Sequence, residues 1–110
     1  MDIKYNFMQI VTDTNFSEIL ASSKVVVVDF WAPWCGPCRV LGPTVDDVAE
    51  EFAGRVAVAK CNVDDCEEIG EQFGIRSIPT ILFFQNGEVA DKCIGLVSKA
   101  EIESKINNLL

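Results

Sequence analysis

Apolar residues fall into two kinds of segment along the chain, and the two kinds alternate. Residues 25–31, which begin with four consecutive valines, form a nearly continuous apolar run that is typical of a strand covered on both faces. Shorter apolar runs predict further strands over residues 7–11, 56–62, 80–85 and 89–94. Stripes of helical period predict helices that begin near residues 14, 35, 64 and 98. The predicted order is β-α-β-α-β-α-β-β-α, an α/β fold.

The longest predicted helix covers residues 35–52. Its apolar stripe, which we expect to be buried, consists of Val40, Leu41, Val45, Val48 and Phe52. Pro43 lies inside this helix. Because proline has no N–H to donate to the carbonyl group of residue 39, we expect a kink there.

Three local signals set the limits of other elements. Asn86-Gly87 lies between two predicted strands and favours a two-residue hairpin turn. Ser98 and Glu101 have the spacing of a capping box and begin the final helix. The acidic run at residues 64–68 favours the N-terminus of a short helix, where negative charge is stabilised. No linker, repeat or low-complexity segment interrupts the pattern, so residues 1–110 are predicted to form one domain.

Composition and charge narrow the range of partners. Hydrophobic residues make up 49% of the chain and charged residues 24%, as in soluble globular domains. The net charge of −8, without a cluster of Lys and Arg, argues against a nucleic-acid partner. The apolar runs are too short to cross a bilayer, and residues 1–6 show no secretion signal. Histidine is absent, which excludes Cys–His and Ser–His catalysis and metal sites that need histidine.

The spacing of the cysteines indicates the chemistry. Of five cysteines, only Cys35 and Cys38 have Cys-x-x-Cys spacing, where the valine-rich strand gives way to the long helix. Such a pair can close and reopen a small disulfide ring, as dithiol–disulfide exchange requires. The odd cysteine count favours a reducing cytoplasm over a secreted disulfide scaffold. A four-cysteine zinc site would need a second close pair. Cys61 and Cys66 are the nearest candidates but have no turn glycine between them, so no metal is expected.

The chain resembles the thioredoxin family in several motifs that occur in register. These are Asp29-Phe30-Trp31, Trp34-Cys35-Gly36-Pro37-Cys38, Lys60 at a strand end, Ile78-Pro79-Thr80, Asn86-Gly87 and Gly95. The resemblance implies a thioredoxin fold, in which a central five-stranded mixed sheet of order 1-3-2-4-5 is flanked by four helices. It also implies the bacterial type of the family and its thiol–disulfide oxidoreductase activity.

Under this resemblance Cys35 is the nucleophile, and Cys38 attacks the mixed disulfide to release the reduced substrate. The start of a helix stabilises a thiolate at Cys35. Asp29 interrupts an apolar strand, so burial should raise the pKa of its carboxyl group, which suits proton transfer. From the residues alone, a structural aspartate bonded to backbone donors is an equal alternative. The resemblance implies that Asp29, with Lys60 nearby, assists the deprotonation of Cys38.

The resemblance further implies an apolar docking surface for substrates beside the cysteines. Its residues are Trp34, Gly36, Pro37, Ile78, Pro79, Ile94, Gly95 and Leu96. In the family the proline at position 79 is cis, although an X–Pro bond taken alone is expected to be trans. Ordinary core packing is the alternative for Ile94 and Leu96. Trp31 and Pro43 are expected to support the site structurally.

The other cysteines are not part of this implied chemistry. Cys61 is expected to be a small buried hydrophobe. We hypothesise that Cys66 and Cys93 are exposed enough for a regulatory disulfide or glutathionylation.

The implied function is that of a monomeric, cytoplasmic protein-disulfide reductase. It needs no cofactor of its own, because a thioredoxin reductase that uses flavin and NADPH restores its dithiol. Its partners are that reductase and disulfide-containing proteins, with no nucleic acid and no membrane. One alternative is an oxidant or isomerase of a more oxidising compartment, which Gly36-Pro37 disfavours. Another is an interaction module without turnover, which the presence of both cysteines disfavours.

Overall fold

A computed structural model describes residues 8–110 and has the predicted order of elements. The strands are β1 (Met8–Ile10), β2 (Val25–Trp31), β3 (Ala57–Asn62), β4 (Thr80–Gln85) and β5 (Glu88–Ile94). The helices are α1 (Phe16–Ala21), α2 (Gly36–Glu51), α3 (Glu67–Gln72) and α4 (Lys99–Leu109). Phe7, predicted to begin the first strand, lies outside the described residues.

The strands of residues 8–110 form one five-stranded mixed sheet of order β1-β3-β2-β4-β5. β3 pairs in parallel with β1 and β2, whereas β4 pairs antiparallel with β2 and β5. β2 is therefore central, and residues of helices cover both of its faces. This position explains its nearly continuous apolar run. The predicted sheet order and mixed topology are confirmed.

Alternate residues of β2 belong to two separate cores. Val25 and Val27 pack on one face of the sheet against side chains of α2 and α4. Val26 and Val28 pack on the other face with side chains of α1 and α3. Burying a valine of this kind contributes about 1.5–3 kcal/mol. Because side chains alternate along a strand, Asp29 shares the face of Val25 and Val27 and lies in the layer between β2 and α2.

Helix α2 differs from its predicted apolar stripe at one position. Its buried residues are Cys38, Leu41, Gly42, Val45, Val48 and Ala49. Val40, predicted to be buried, is 63% exposed, so that prediction is wrong. Each residue advances about 100° around a helix, and the position before Leu41 already faces away from the sheet. The helix continues through Pro43 to Glu51, and the kink at Pro43 stays a prediction.

The signals at the hairpin and at the last helix are confirmed. Asn86 and Gly87 have φ angles of 52° and 84°, the left-handed conformation that this two-residue turn needs. β5 begins at Glu88, directly after the turn and one residue before the predicted start. The side chain of Ser98 accepts a hydrogen bond from the backbone N–H of Glu101 at 3.1 Å and so caps α4.

Candidate active site

The cysteine pair lies where β2 ends and α2 begins. Cys35 is the N-cap of α2 with extended backbone angles (φ −89°, ψ 110°), and Cys38 follows within the first turn. The two residues are joined by a disulfide, with their Cα atoms 5.3 Å apart. Gly36 and Pro37 complete the turn, where the missing N–H of proline costs no helical hydrogen bond. The pair can therefore open and close within one helical turn.

The helix terminus favours a negative charge on Cys35. The backbone N–H of Cys38 donates to Sγ of Cys35, with 3.2 Å between nitrogen and sulfur. This donor and the positive end of the α2 dipole would both stabilise a thiolate there. Cys38 belongs to the buried side of α2 and is 3% exposed, and Cys35 is also buried, with an exposure of 6%. Because the N–H donor and the helix dipole favour a thiolate at Cys35, this is the sulfur suited to attack a substrate, and Cys38 is suited to resolve the product.

Asp29 supplies a buried carboxyl group in the same layer, between β2 and the buried side of α2. It is 1% exposed. Burial raises its pKa from 3.8 to about 6, while the charge of Lys60 lowers it and that of Asp46 raises it further. Within residues 8–110, Oδ1 of Asp29 has no hydrogen-bond partner, so the alternative of a carboxylate satisfied by backbone donors finds no support at this oxygen. A carboxyl group of this pKa can accept and return a proton near neutral pH.

Lys60 lies next to Asp29 in the sheet, because the two residues are partners in the parallel pairing of β2 and β3. Its Nζ lies 3.5 Å from Oδ1 of Asp46 and 5.6 Å from the ring centroid of Trp31. The predicted residues Asp29, Lys60 and Trp31 are thus brought together. Asp46 was not among the predicted site residues, although it follows Cys38 by about two helical turns and so lies on a neighbouring side of α2.

Three large apolar side chains of the predicted docking surface are exposed. Trp34 is 68% exposed, and Ile94 and Leu96 are each 58% exposed. The core-packing alternative for Ile94 and Leu96 is therefore wrong. Whether these side chains contact substrates stays a prediction, but their exposure makes them available for it.

The backbone beside the cysteines is held in a defined shape. The Ile78–Pro79 peptide bond is cis, as the family resemblance implied. The carbonyl oxygen of Ile78 lies 3.8 Å from Sγ of Cys35. The N–H of Gly95 donates to the carbonyl oxygen of Pro79 at 2.9 Å, and Gly95 has a φ angle of 88°, which favours glycine. The segment before β4 thus lies beside Sγ of Cys35, and the segment after β5 is hydrogen-bonded to that segment.

A groove of about 390 Å³ adjoins Trp34 on the side of α3. Its lining includes apolar Val63 and Ile78. The indole N–H of Trp34 donates to Oδ2 of Asp64 at 2.9 Å, which fixes the orientation of the ring at the edge of the groove. Asp64 was predicted only to lie at a helix start, and its contact with Trp34 was not predicted. No local spacing indicates a bond between residues that lie so far apart in the chain.

The hypothesis that Cys66 and Cys93 are accessible is wrong. Their side chains are buried, with exposures of 0% and 4%. Cys66 precedes α3 and its thiol donates to the carbonyl oxygen of Val11 at 3.3 Å, whereas Cys93 packs in the core on the opposite face of the sheet. The sheet therefore separates the two thiols, and neither is open to glutathione in the folded protein.

The burial predicted for Cys61 is confirmed, since its exposure is 0%. Burial raises the pKa of the Cys61 thiol to about 12 and that of the Cys93 thiol to about 11, so both stay protonated at neutral pH. These thiols therefore lack the thiolate character that reactive cysteines need.

Neither a metal-binding cluster nor a membrane span is found in the described part of the chain. In residues 8–110, no three side chains of the types His, Cys, Asp and Glu come together as a metal site would require. None of the helices in that range has the length and apolar character needed to span a bilayer.

Comparisons with known proteins agree with this geometry. The family model described as Thioredoxin matches residues 7–108. A thioredoxin of Porphyra purpurea is 48% identical over 101 residues, which cover 91% of this chain and 94% of that protein. The chloroplastic M-type thioredoxin of Pisum sativum is 45% identical over 106 residues. That match covers 96% of this chain, but the chain spans only 62% of the length of the pea protein.

A solved structure is similar as well. A mutant thioredoxin from Halobacterium salinarum superposes with a TM-score of 0.86 at 32% sequence identity. The superposition covers 93% of this chain and 89% of the other. The fold, the disulfide at the start of α2 and the match over nearly the whole sequence lead to one conclusion: the chain belongs to the thioredoxin family.

Proposed function

We propose that the protein is a protein-disulfide reductase that acts by dithiol–disulfide exchange through Cys35 and Cys38. The observation that carries the proposal is the position of this pair at the N-terminus of α2, with a backbone N–H directed at Sγ of Cys35. Membership of the thioredoxin family supports the same chemistry.

The reaction transfers two electrons to the substrate in two displacements. The Cys35 thiolate attacks one sulfur of a substrate disulfide. A Cys35–substrate bond forms, the substrate S–S bond breaks, and the departing sulfur keeps the electron pair and takes a proton. The Cys38 thiolate then attacks the sulfur of Cys35, which breaks the mixed disulfide and releases the second substrate thiol. The product is the Cys35–Cys38 disulfide, the state of the pair in the structure.

Asp29 serves the second displacement. The Cys38 thiol must lose its proton before it can attack, and it lies in an apolar layer that disfavours a free thiolate. An ionised Asp29 in the same layer takes that proton. With a pKa of about 6, Asp29 is mostly ionised at neutral pH yet remains a stronger base than an ordinary carboxylate. Lys60 modulates this basicity through its charge.

The docking surface for substrates consists of exposed side chains and loop backbone around Cys35. Its members are the predicted residues Trp34, Gly36, Pro37, Ile78, Pro79, Ile94, Gly95 and Leu96. An extended substrate segment lies across the cis peptide at Pro79 and pairs with the free backbone there. Trp31 packs against the cluster that contains both cysteines and supports the site, and Pro43 supports it as part of α2.

Recycling and location follow from the same proposal. A flavin-containing thioredoxin reductase reduces the Cys35–Cys38 disulfide at the expense of NADPH, and the protein itself holds no cofactor. The protein acts as a monomer on disulfide-containing proteins in a reducing cytoplasm. A chloroplastic relative such as that of pea indicates that the family also works in organelles.

The test is reduction of a protein disulfide with dithiothreitol as the final electron donor. The wild-type protein should accelerate the reaction, Cys35→Ser should abolish the acceleration, and Cys38→Ser should accumulate a mixed disulfide that mass spectrometry detects. Cys93→Ala is the matched control and should retain activity, because Cys93 lies in the core away from the pair. Acceleration that survives Cys35→Ser would overturn the proposal.

The reduction potential of the pair separates the remaining functional classes. A value of about −270 mV, as in thioredoxins, supports a reductase, whereas about −180 to −120 mV belongs to isomerases and oxidants. A protein that binds disulfide-containing partners equally well with Cys35→Ser and never accelerates their reduction would be an interaction module instead.

A further inference from the structure

Lys60 and Asp29 are cross-strand neighbours of opposite charge, yet they do not form an ion pair in the described part of the chain. The parallel register of β2 and β3 places the two residues side by side. The ammonium group of Lys60 nevertheless pairs with Asp46, with 3.5 Å between Nζ and Oδ1. Oδ1 of Asp29, fully buried, has no hydrogen-bond partner within residues 8–110.

Two further contacts define where the Lys60 side chain runs. Nζ lies 5.6 Å from the centre of the Trp31 ring, within the range of a cation–π interaction. A Cβ atom built on Gly42 would lie 3.6 Å from Nζ, so the ammonium group rests against the surface of α2 at this glycine. Lys60 is thus drawn along α2 towards Asp46, whose side chain is 59% exposed.

The charged and titratable groups around Asp29 can be named element by element. Lys60 comes from β3, and α2 contributes Cys38 on its buried side and Asp46. The residue opposite Asp29 on β4 is Ile81, which carries no charge. Cys61 follows Lys60 on β3, and its burial keeps the thiol protonated. Lys60 is therefore the cation whose charge opposes the effect of burial and lowers the pKa of Asp29.

We propose that Asp46 is a positioning residue for the resolving step: by holding the ammonium group of Lys60, it keeps Asp29 unpaired and basic enough to take the proton of Cys38. This inference rests on the proposed function. The proton passes from Sγ of Cys38 to the Asp29 carboxylate, and the resulting thiolate attacks Sγ of Cys35. If Lys60 were released, its charge could move to Asp29 and stabilise the carboxylate. A carboxylate paired in this way is a weaker base.

The experiment is a double-mutant cycle with Asp46→Asn and Lys60→Met. The readout is the titration of the Asp29 carboxyl carbon by NMR in the reduced protein. Asp46→Asn should lower the midpoint by about half a pH unit or more, the effect expected for a unit charge moved by several ångströms in a partly solvated site. Lys60→Met should raise the midpoint. In the Lys60→Met background, Asp46→Asn should have only the smaller effect of its own charge.

Asp47→Asn is the matched control, because it removes the same charge from the next residue of α2. Asp47 is exposed and lies outside the buried positions of that helix. Its effect on the midpoint should be clearly smaller than that of Asp46→Asn. The acidic limb of the pH profile for disulfide reduction should shift in parallel with the NMR midpoint in each variant. The inference is overturned if Asp46→Asn leaves the Asp29 midpoint constant or raises it. It is also overturned if Asp46→Asn shifts that midpoint equally in the wild-type and Lys60→Met backgrounds.

This design separates the two proposals. The NMR midpoint tests the role of Asp46 even in a protein that reduces no disulfides. A wild-type protein without reductase activity would overturn the proposed function, while shifts of the Asp29 midpoint would still show whether Asp46 governs Lys60.

Discussion

Replacing Asp29 with asparagine should stabilise the protein at neutral pH while slowing its reaction. The two side chains have nearly the same shape, but asparagine carries no charge at any pH. In the wild-type protein the carboxyl group is 1% exposed and lies in an apolar layer among valine side chains. Burial of the charged form is unfavourable, and this is why its pKa is raised to about 6.

The size of the expected stabilisation follows from the linkage between the pKa of Asp29 and the free energy of unfolding. The folded pKa of about 6 exceeds the ordinary value of 3.8 by about 2.2, which corresponds to about 3 kcal/mol. Below about pH 4 the Asp29 carboxyl group is protonated in both the folded and the unfolded state, and its contribution of about 3 kcal/mol to stability is fully present. Between about pH 4 and pH 6 the folded state binds more protons than the unfolded state, so stability falls as the pH rises. The loss is complete about one pH unit above the folded pKa of about 6.

The assay is guanidinium unfolding of both oxidised proteins at several pH values between about 3.5 and about 7.5. The difference in free energy of unfolding, Asp29→Asn minus wild type, should grow by about 3 kcal/mol across this range. Burying the asparagine amide adds only a constant to the free energy of unfolding, and a constant does not affect how the difference between the two proteins changes with pH. Glu50→Gln, which removes a carboxyl group from an exposed position of α2, is the matched control. A flat curve for Asp29→Asn would refute the reasoning, because the buried carboxyl group would then have an ordinary pKa.

Three other predictions concern the surface, a loop and the buried thiols. Leu96→Asp should change the free energy of unfolding by less than about 0.5 kcal/mol, since Leu96 is 58% exposed. It should nevertheless slow the reduction of protein disulfides about tenfold. Reduction of a small-molecule disulfide, measured in the same kinetic assay, should be unaffected. Gly95→Ala should destabilise the protein by about 1 kcal/mol in thermal unfolding, because its φ of 88° disfavours a Cβ atom; an unchanged Tm would contradict this. Iodoacetamide should modify the reduced, folded protein at Cys35, where the start of α2 stabilises a thiolate, and mass spectrometry should find three thiols unmodified until the chain is unfolded, namely Cys61, Cys66 and Cys93.

The elements of the fold and the reactive pair could be predicted from the sequence because their signals are local. The valine run of β2, the turn at Asn86-Gly87 and the cap at Ser98 each depend on neighbouring residues. The Cys-x-x-Cys spacing likewise places both sulfurs within one helical turn. The burial predicted for Val40 was wrong because an apolar side chain was assigned to the buried stripe of α2 although helical geometry turns that position away from the sheet.

By itself, the sequence determined where strands, helices and turns lie, and that a dithiol begins the longest helix. Only the tertiary structure decided which side chains from distant segments meet there. It turned Lys60 towards Asp46, bonded Trp34 to Asp64, and buried Cys66 and Cys93 on opposite faces of the sheet. The physical reason is that periodicity reports the side of an element on which a residue lies. Burial, charge pairing and pKa depend instead on the elements packed against that side. Sheet order and strand register determine which elements these are.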